Sequence, residues 1–448
     1  MVRWLYNICF PLVFVLLLPG YLRRMVRRGN FQRNFGQRLG FYAPDLKRRL
    51  ADSPPRVWVQ AVSVGEMLVA LKLIDALRAR SPSLPLILST TTTTGHQLAA
   101  ERIGPGIELV YTPVDLRGAV RRAFAVLRPA QIVIVDGGLW PNQLWEARRR
   151  GITTALVNAR LSPRSERRFR RFRRLAAAMF RLLDLVCVPE EGDVARWQSL
   201  GVPAANIRHT GSSKFDDSPA SGISSPSADH TVNETLTRFL RNVCPDPDTP
   251  ILLAGSTHPG EERIIAEVFL KLRQRFTRLF LIVAPRHVER TAQICSELEA
   301  LGLRVAVRAT AGASPDSDTP SVPPPDLLLL GTTGELRDWY ALATVVFIGK
   351  SLTGVGGQNP AEAITAGRPV VFGPHMENFA ELTAALLAAD AAIQVGDAAT
   401  LETGCARLLS DAPERQRMTD AAARQIAVHR GAASRTAALL LQAGRNFA

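Results

Sequence analysis

Val57-Trp58-Val59-Gln60-Ala61-Val62, then Ser63-Val64-Gly65-Glu66, then Met67-Leu68-Val69-Ala70-Leu71-Lys72-Leu73-Ile74-Asp75-Ala76-Leu77, reads as a buried strand, a tight turn and a helix in succession. Open α/β sheets bind ligands outside the carboxyl ends of their strands. Glu66 stands at such an end, which makes it the first candidate for a catalytic base. The competing reading has it merely complement the positive end of the following helix, a contribution of roughly 0.3–1 kcal/mol. Because the same dipole lowers a carboxylate's basicity, position alone leaves both readings open.

Outward from this stretch, short β-branched runs alternate with helical patterns: Leu84 to Ser89, Ile107 to Tyr111, Ile132 to Asp136, Thr153 to Asn158 and Leu185 to Pro189. A second set runs through Ile251 to Gly255, Leu279 to Ala284, Leu327 to Leu330, Val345 to Gly349 and Val370 to Gly373. Such alternation predicts an α/β class with parallel, doubly wound sheets. The 448 residues exceed what one hydrophobic core usually organises. Two Rossmann-like domains are therefore expected, an N-terminal one over 57–216 and a C-terminal one over 249–428. A membrane anchor over 1–22 and a basic juxtamembrane segment over 23–56 precede them, 217–248 links them, and a C-terminal helix over 429–448 follows. Asp217 to Asp229, rich in Ser, Pro, Gly and Ala, reads as a surface segment near the junction. Ala309 to Asp326, with Pro320, Pro323, Pro324 and Pro325, reads as a loop inside the second domain.

The N-terminus carries the second strong signal. Trp4 to Leu18 is almost uninterrupted apolar sequence, followed by Pro19-Gly20 and by Arg23, Arg24, Arg27 and Arg28. It is short for a spanning helix, which needs roughly 20 residues, but no small-residue cleavage site follows, so a signal anchor is expected rather than a cleaved signal peptide. Arginines after the segment outnumber the single Arg3 before it, which assigns the C-terminal side to the cytoplasm. An interfacial, monotopic helix is the alternative; either one seats the protein on a membrane. Five scattered cysteines, Cys9, Cys187, Cys244, Cys295 and Cys405, form no CxxC pair, which excludes a disulfide framework or a zinc site and fits a reducing compartment. The net charge of +15 calls for a polyanionic neighbour: nucleic acid, anionic lipid or a phosphorylated substrate.

In the second half, glycine-rich turns stand at successive strand ends: Gly255 to Glu262, Ala284-Pro285-Arg286-His287, Gly331-Thr332-Thr333-Gly334-Glu335 and Gly354 to Glu362. Such turns, followed by helices, present backbone N–H groups to phosphate. Neither a Walker lysine pattern nor GxGxxG occurs, so a P-loop NTPase and a dinucleotide dehydrogenase are both unsupported. A nucleotide site is expected here, with Arg286 pairing with a phosphate and Glu335 and Glu362 accepting from sugar hydroxyls. His258 and His287 lack ligand spacing and read as structural.

These residues carry a resemblance. Arg38-Leu39-Gly40, Ala61 to Glu66, Thr90 to Gly95, Leu139-Trp140-Pro141-Asn142, Asn158 to Ser162, Lys214-Phe215-Asp216, Gly255 to Glu262, Gly349 to Glu362 and Gly373-Pro374-His375 with Asn378-Phe379 span nearly the whole chain. In them the chain resembles the 3-deoxy-D-manno-octulosonic acid (Kdo) transferases, inner-membrane glycosyltransferases of lipopolysaccharide synthesis. The resemblance implies a GT-B fold, two Rossmann-like domains facing a cleft, with CMP-Kdo as donor substrate and a lipid A precursor (lipid IVA) as acceptor. It implies inverting transfer, with Glu66 as general base and Lys214 as transition-state stabiliser, and CMP bound by Pro285-Arg286, Thr333-Gly334-Glu335 and Asn359-Pro360-Ala361-Glu362. No metal and no cofactor are implied.

One departure stands out. Where the family usually has Glu-Thr-Glu, this chain has Asp136-Gly137-Gly138. Asp136 keeps a carboxylate, one methylene shorter, and remains a catalytic candidate; its bland reading is a strand-end carboxylate satisfied by nearby N–H groups. Gly138 removes the second carboxylate outright. The basic run from Arg160 to Arg174, eight arginines in fifteen residues, reads as a binder of anionic lipid or acceptor phosphates, or as a solvated helix. No nucleic-acid fold accompanies it, and no nucleic-acid partner is expected. Two alternatives stay open: a GT-B transferase using another nucleotide sugar, and a non-catalytic CMP-binding membrane protein.

Overall fold

The computed structural model describes residues 2–27, 34–161, 163–216, 234–244, 246–308, 324–332 and 334–444. Thr333, the segment Asp217 to Asp229 and most of the loop Ala309 to Asp326 lie outside them. The chain divides into two units, Met1–Ser224 with His429–Ala448, and Ser225–Val428.

The first unit holds β1 (Arg56–Ala61), β2 (Leu86–Thr90), β3 (Ile107–Tyr111), β4 (Pro129–Val135), β5 (Thr153–Val157), β6 (Leu185–Val188) and β7 (Ile207–His209). They form one parallel sheet in the order β3-β2-β1-β4-β5-β6-β7. The order reverses between β1 and β4, and doubly wound sheets bind ligands at that reversal. Those two strands lead into Glu66 and Asp136. Val57, Val59 and Ala61 share a core with Met67, Leu73 and Leu77 of helix Val64–Arg80, while Trp58 meets Phe124 edge-on at 5.7 Å on the other face. Burial on both faces is why β1 reads as a continuous apolar run instead of an alternating one. Helix Ala432–Ala443, the last among the described residues, packs along Val64–Arg80, placing Ala437 and Leu440 in the same core.

The first helix, Val2–Arg27, contains Pro11 and Pro19. Among the described residues no helix is long and apolar enough to cross a membrane. The expected spanning anchor is therefore not confirmed. Arg3, Tyr6 and Asn7 face protein: the Tyr6 hydroxyl donates to Asp115 at 2.8 Å, Asn7 pairs with Asn142 at 2.9 and 3.0 Å, and the Arg3 guanidinium lies 5.7 Å over the Trp145 ring. The opposite flank, with Trp4, Leu5, Ile8, Leu12, Val15 and Leu16, is exposed. The buried Asp115 carboxylate also accepts from the backbone of Asn142 and Gln143, at 2.9 and 3.1 Å. Three hydrogen bonds at about 1 kcal/mol net each set the expectation for Asp115→Ala: this unit loses roughly 2–3 kcal/mol in denaturant unfolding, and the amides of residues 3–10 exchange faster. Unchanged exchange would show that Asp115 does not hold the helix.

The second unit holds β8 (Ile251–Thr257), β9 (Phe280–Pro285), β10 (Val305–Arg308), β11 (Leu327–Leu330), β12 (Val345–Ile348), β13 (Val370–Phe372) and β14 (Ile393–Gln394). Its parallel sheet runs β10-β11-β9-β8-β12-β13-β14 and reverses between β8 and β12. Leu252, Ala254, Leu281, Val283, Leu329 and Phe347 fill the core beneath helix Glu261–Arg275. The segment expected as a linker contains helix Glu234–Val243, which buries Leu236 and Leu240 one turn apart.

Candidate active site

In each unit, chemistry-bearing side chains gather at the carboxyl ends of the central strands. In the first, Ser63 caps helix Val64–Arg80 by accepting from the Glu66 amide. Glu66 in turn folds back on the turn, with Oε2 accepting from the Val62 amide at 2.6 Å and Oε1 from the Ser63 hydroxyl at 3.1 Å. Ser63 and Glu66 thus brace each other across the first turn of the helix. Burial nevertheless raises its pKa above the ordinary value; the Val62 and Ser63 hydrogen bonds pull down, and the neighbouring Asp136 charge adds to the rise. The net direction is the one a base at neutral pH requires.

Asp136 follows β4 at φ +60°, and Asn158 follows the adjacent β5 at φ +52°. Among residues with a Cβ, Asp and Asn tolerate this left-handed region best. The two side chains meet there, Asn158 Nδ2 donating to Asp136 Oδ1 at 2.5 Å. Burial raises the Asp136 pKa, opposed by that hydrogen bond and by the charges of Arg160 and Lys214. Lys214 stands in the loop after β7; burial, and then Arg160, bring its pKa down to about 8 against the pull of Asp136. Glu66, Asp136 and Lys214 therefore fall into one electrostatically coupled group. Asn158 and Arg160 join it, and Ser212 extends it by donating to Asn158 Oδ1 at 3.2 Å. In the sequence Asn158 has no assigned role, and Arg160 reads as the start of the basic run instead of as a partner of Asp136 and Lys214. The strand-end logic used for Glu66 and Asp136, applied to β5, was the signal that would have found them.

Gly138, the missing carboxylate, is sterically filled. A Cβ built there would lie 2.8 Å from Val62 Cγ2, and valine is stiff at χ1. Gly138→Ala must push Val62, whose amide holds Glu66, so it should cost about 1–3 kcal/mol in overpacking and lower turnover. Gly138→Ala combined with Val62→Ala should recover turnover. A single variant with wild-type kcat would show that Val62 yields freely.

In the second unit Pro285 closes β9, and the amide of the exposed Arg286 donates to the Thr257 carbonyl at 3.0 Å, fixing the turn beside β8. Glu335 is gripped by the buried Arg308 at 2.9 and 2.8 Å and by the Thr332 hydroxyl at 2.7 Å. Gly334 before it has φ +93°. Asn359 Oδ1 accepts from the Ala361 amide at 3.1 Å; Pro360 caps the short helix Ala361–Thr365, in whose first turn Glu362 lies.

The glycine-rich turn between is braced from within. Glu261, fully buried, accepts from the amides of Lys350, Ser351 and Leu352 at 2.7, 2.9 and 3.0 Å. Glu377 takes the Gly356 amide at 2.6 Å. Those four N–H groups are therefore taken up by carboxylates of the protein itself. His258 sits beside Gln358 at 3.2 Å, and burial followed by the Lys350 charge lowers its pKa. Among the described residues no group of three or more His, Cys, Asp or Glu side chains is arranged to hold a metal ion.

Two parallel-sheet α/β units of this kind are the architecture of the GT-B glycosyltransferases. The fold is shared with the UDP-GlcNAc 2-epimerase from Neisseria meningitidis bound to UDP-GlcNAc, at TM-score 0.57 and 13% identity over 86% of this chain and 99% of that one. Residues 33–217 match the family model described as 3-Deoxy-D-manno-octulosonic-acid transferase (kdotransferase). The 3-deoxy-D-manno-octulosonic acid transferase of Bordetella pertussis is 34% identical over 388 residues, 85% of each chain. That of Haemophilus influenzae is 28% identical over 436 residues, 97% of this chain and 96% of its own. The chain belongs to the 3-deoxy-D-manno-octulosonic acid transferase family, a family of glycosyltransferases.

Proposed function

We propose that the chain moves Kdo from CMP-Kdo to a hydroxyl of a lipid A precursor, lipid IVA, in lipopolysaccharide synthesis, with inversion at the anomeric carbon and without a metal. Glu66 takes the proton of the acceptor hydroxyl as its oxygen bonds to the anomeric carbon of Kdo. The bond from that carbon to the CMP phosphate oxygen breaks on the opposite face, and Lys214 neutralises the charge developing toward that phosphate. Asp136, held by Asn158, keeps Lys214 charged. Pro285, Arg286, Thr333, Gly334, Glu335, Asn359, Pro360, Ala361 and Glu362 hold CMP. The observation that carries this reading is the coupled group of a carboxylate with a raised pKa and a lysine with a lowered one, in a chain with Kdo transferases as relatives along its length.

The acceptor is an acylated, membrane-borne sugar, and the exposed apolar flank of the first helix supports attachment to the cytoplasmic face of the inner membrane. The exposed arginines around 167–174 suit its anionic lipid. Competition binding tests the donor: CMP should displace a labelled CMP probe at far lower concentration than UDP or AMP. Equal displacement by UDP would move the proposal to another nucleotide sugar.

A further inference from the structure

We infer that residues 429–435, where the chain returns to the first unit, are the positioning element for Lys214. The inference rests on the role proposed for Lys214 above. That lysine lies in the loop 210–216, and three side chains tie the loop to the return on both sides of it. The Arg435 guanidinium donates to the Thr210 carbonyl at 3.0 and 2.7 Å. His429 Nδ1 accepts from the Ser212 amide at 3.2 Å, across 217 residues of sequence. The Asp216 carboxylate caps the following helix, accepting from the Gly431 and Ala433 amides at 2.9 and 2.8 Å.

His429, Ser212 and Asp216 are all at least 97% buried, with 3%, 2% and 3% exposure. The His429 ring also packs on Phe215, centroids 5.3 Å apart, and Lys72 Nζ donates to the Asp216 carbonyl at 2.7 Å from beneath. Through its hydroxyl, Ser212 carries the same brace on to Asn158 and from there to Asp136. A lysine ammonium on a flexible stem stands at a defined point only if its backbone does, and displacements of about 1 Å cost catalysis up to roughly 10²-fold. The chemistry of the brace requires a neutral ring. Burial, and then the charges of His209 and Arg435, hold the His429 pKa down to about 4 against the pull of Asp216. Nδ1 therefore keeps its lone pair for Ser212, while Nε2 turns to Glu190 at 3.7 Å.

The test compares His429→Ala, His429→Asn, Arg435→Met and Lys214→Met in Kdo transfer from CMP-Kdo, with kcat, KM and the pH profile of kcat measured for each. Asn offers a side-chain oxygen where Nδ1 stood, and Arg435→Met keeps the aliphatic stem while removing the grip on Thr210. The expected result for His429→Ala is a roughly 10–100-fold fall in kcat with KM for CMP-Kdo nearly unchanged. The alkaline limb should move upward from about pH 8 as water reaches the lysine. His429→Asn should regain most of the rate, and Arg435→Met should shift the limb the same way, which keeps the test decisive if His429→Ala does not fold. Wild-type kcat and limb in His429→Ala or in Arg435→Met, beside a crippled Lys214→Met, would overturn the positioning role alone. A wild-type Lys214→Met would instead overturn the role of the lysine, and the inference with it.

Discussion

Glu66→Gln lowers the transfer rate by roughly 10²–10⁴-fold, the usual worth of a general base, and leaves CMP binding as it is in the wild type. The amide keeps the size of the carboxylate and can still accept from the Val62 amide, so the helix cap survives while the base does not. This separates the proposed base from the cap contacts that the same side chain makes. If Glu66 served only the cap, Gln would cost well under 1 kcal/mol and turnover would stand. The acid side of the kcat profile checks it again: activity rises with pH as Glu66 loses its proton, at a pH above the ordinary carboxylate range because burial raises its pKa. In Glu66→Gln that limb should vanish.

The second large effect belongs to Lys214. Lys214→Met should lower kcat by roughly 10²–10³-fold, as the loss of one preorganised charge-stabilising donor does. In the wild type the working form is the protonated amine, so activity should fall as pH rises through about 8. Stability should move the other way. The folded pKa lies below the unfolded one, so between about 8 and 10.5 the unfolded chain binds more protons and folding strengthens as pH rises. Falling activity alongside constant or rising stability therefore marks titration of the lysine, whereas melting in that window would assign the loss to unfolding.

Much of the fold was legible in the sequence because its central strands are buried on both faces. Runs such as Ile132 to Asp136 and Leu327 to Leu330 have no polar alternation to confuse with another period. The strands that escaped were short ones: β7 and β14 at the sheet edges have three and two residues, and the four-residue β10 has two half-buried positions and one exposed one. None of them is long enough to show a period. Glu66 was legible because its strand, cap and helix are contiguous. The bond from Asn158 to Asp136 and the place of Ser212 were not, since they depend on β5 lying next to β4 and on a loop bonded to helix-proximal residues near the end of the described chain.

Gly138 shows the limit most clearly. In the sequence it is a lost carboxylate; in the structure it is also a position where the Val62 side chain occupies the space a Cβ would need. Glu335 is a similar case, because its partner Arg308 precedes it by 27 residues, across the Pro-rich loop, and nothing local marks the pair.

Incubating the wild-type chain with freshly generated CMP-Kdo and tetra-acylated lipid A precursor, and resolving the lipid products by mass, tests the central claim most directly. The expected product is lipid carrying the added mass of Kdo, with CMP released in step with it. Unmodified lipid from protein that is folded and still binds CMP would contradict the account and return the chain to a nucleotide-binding role without transfer.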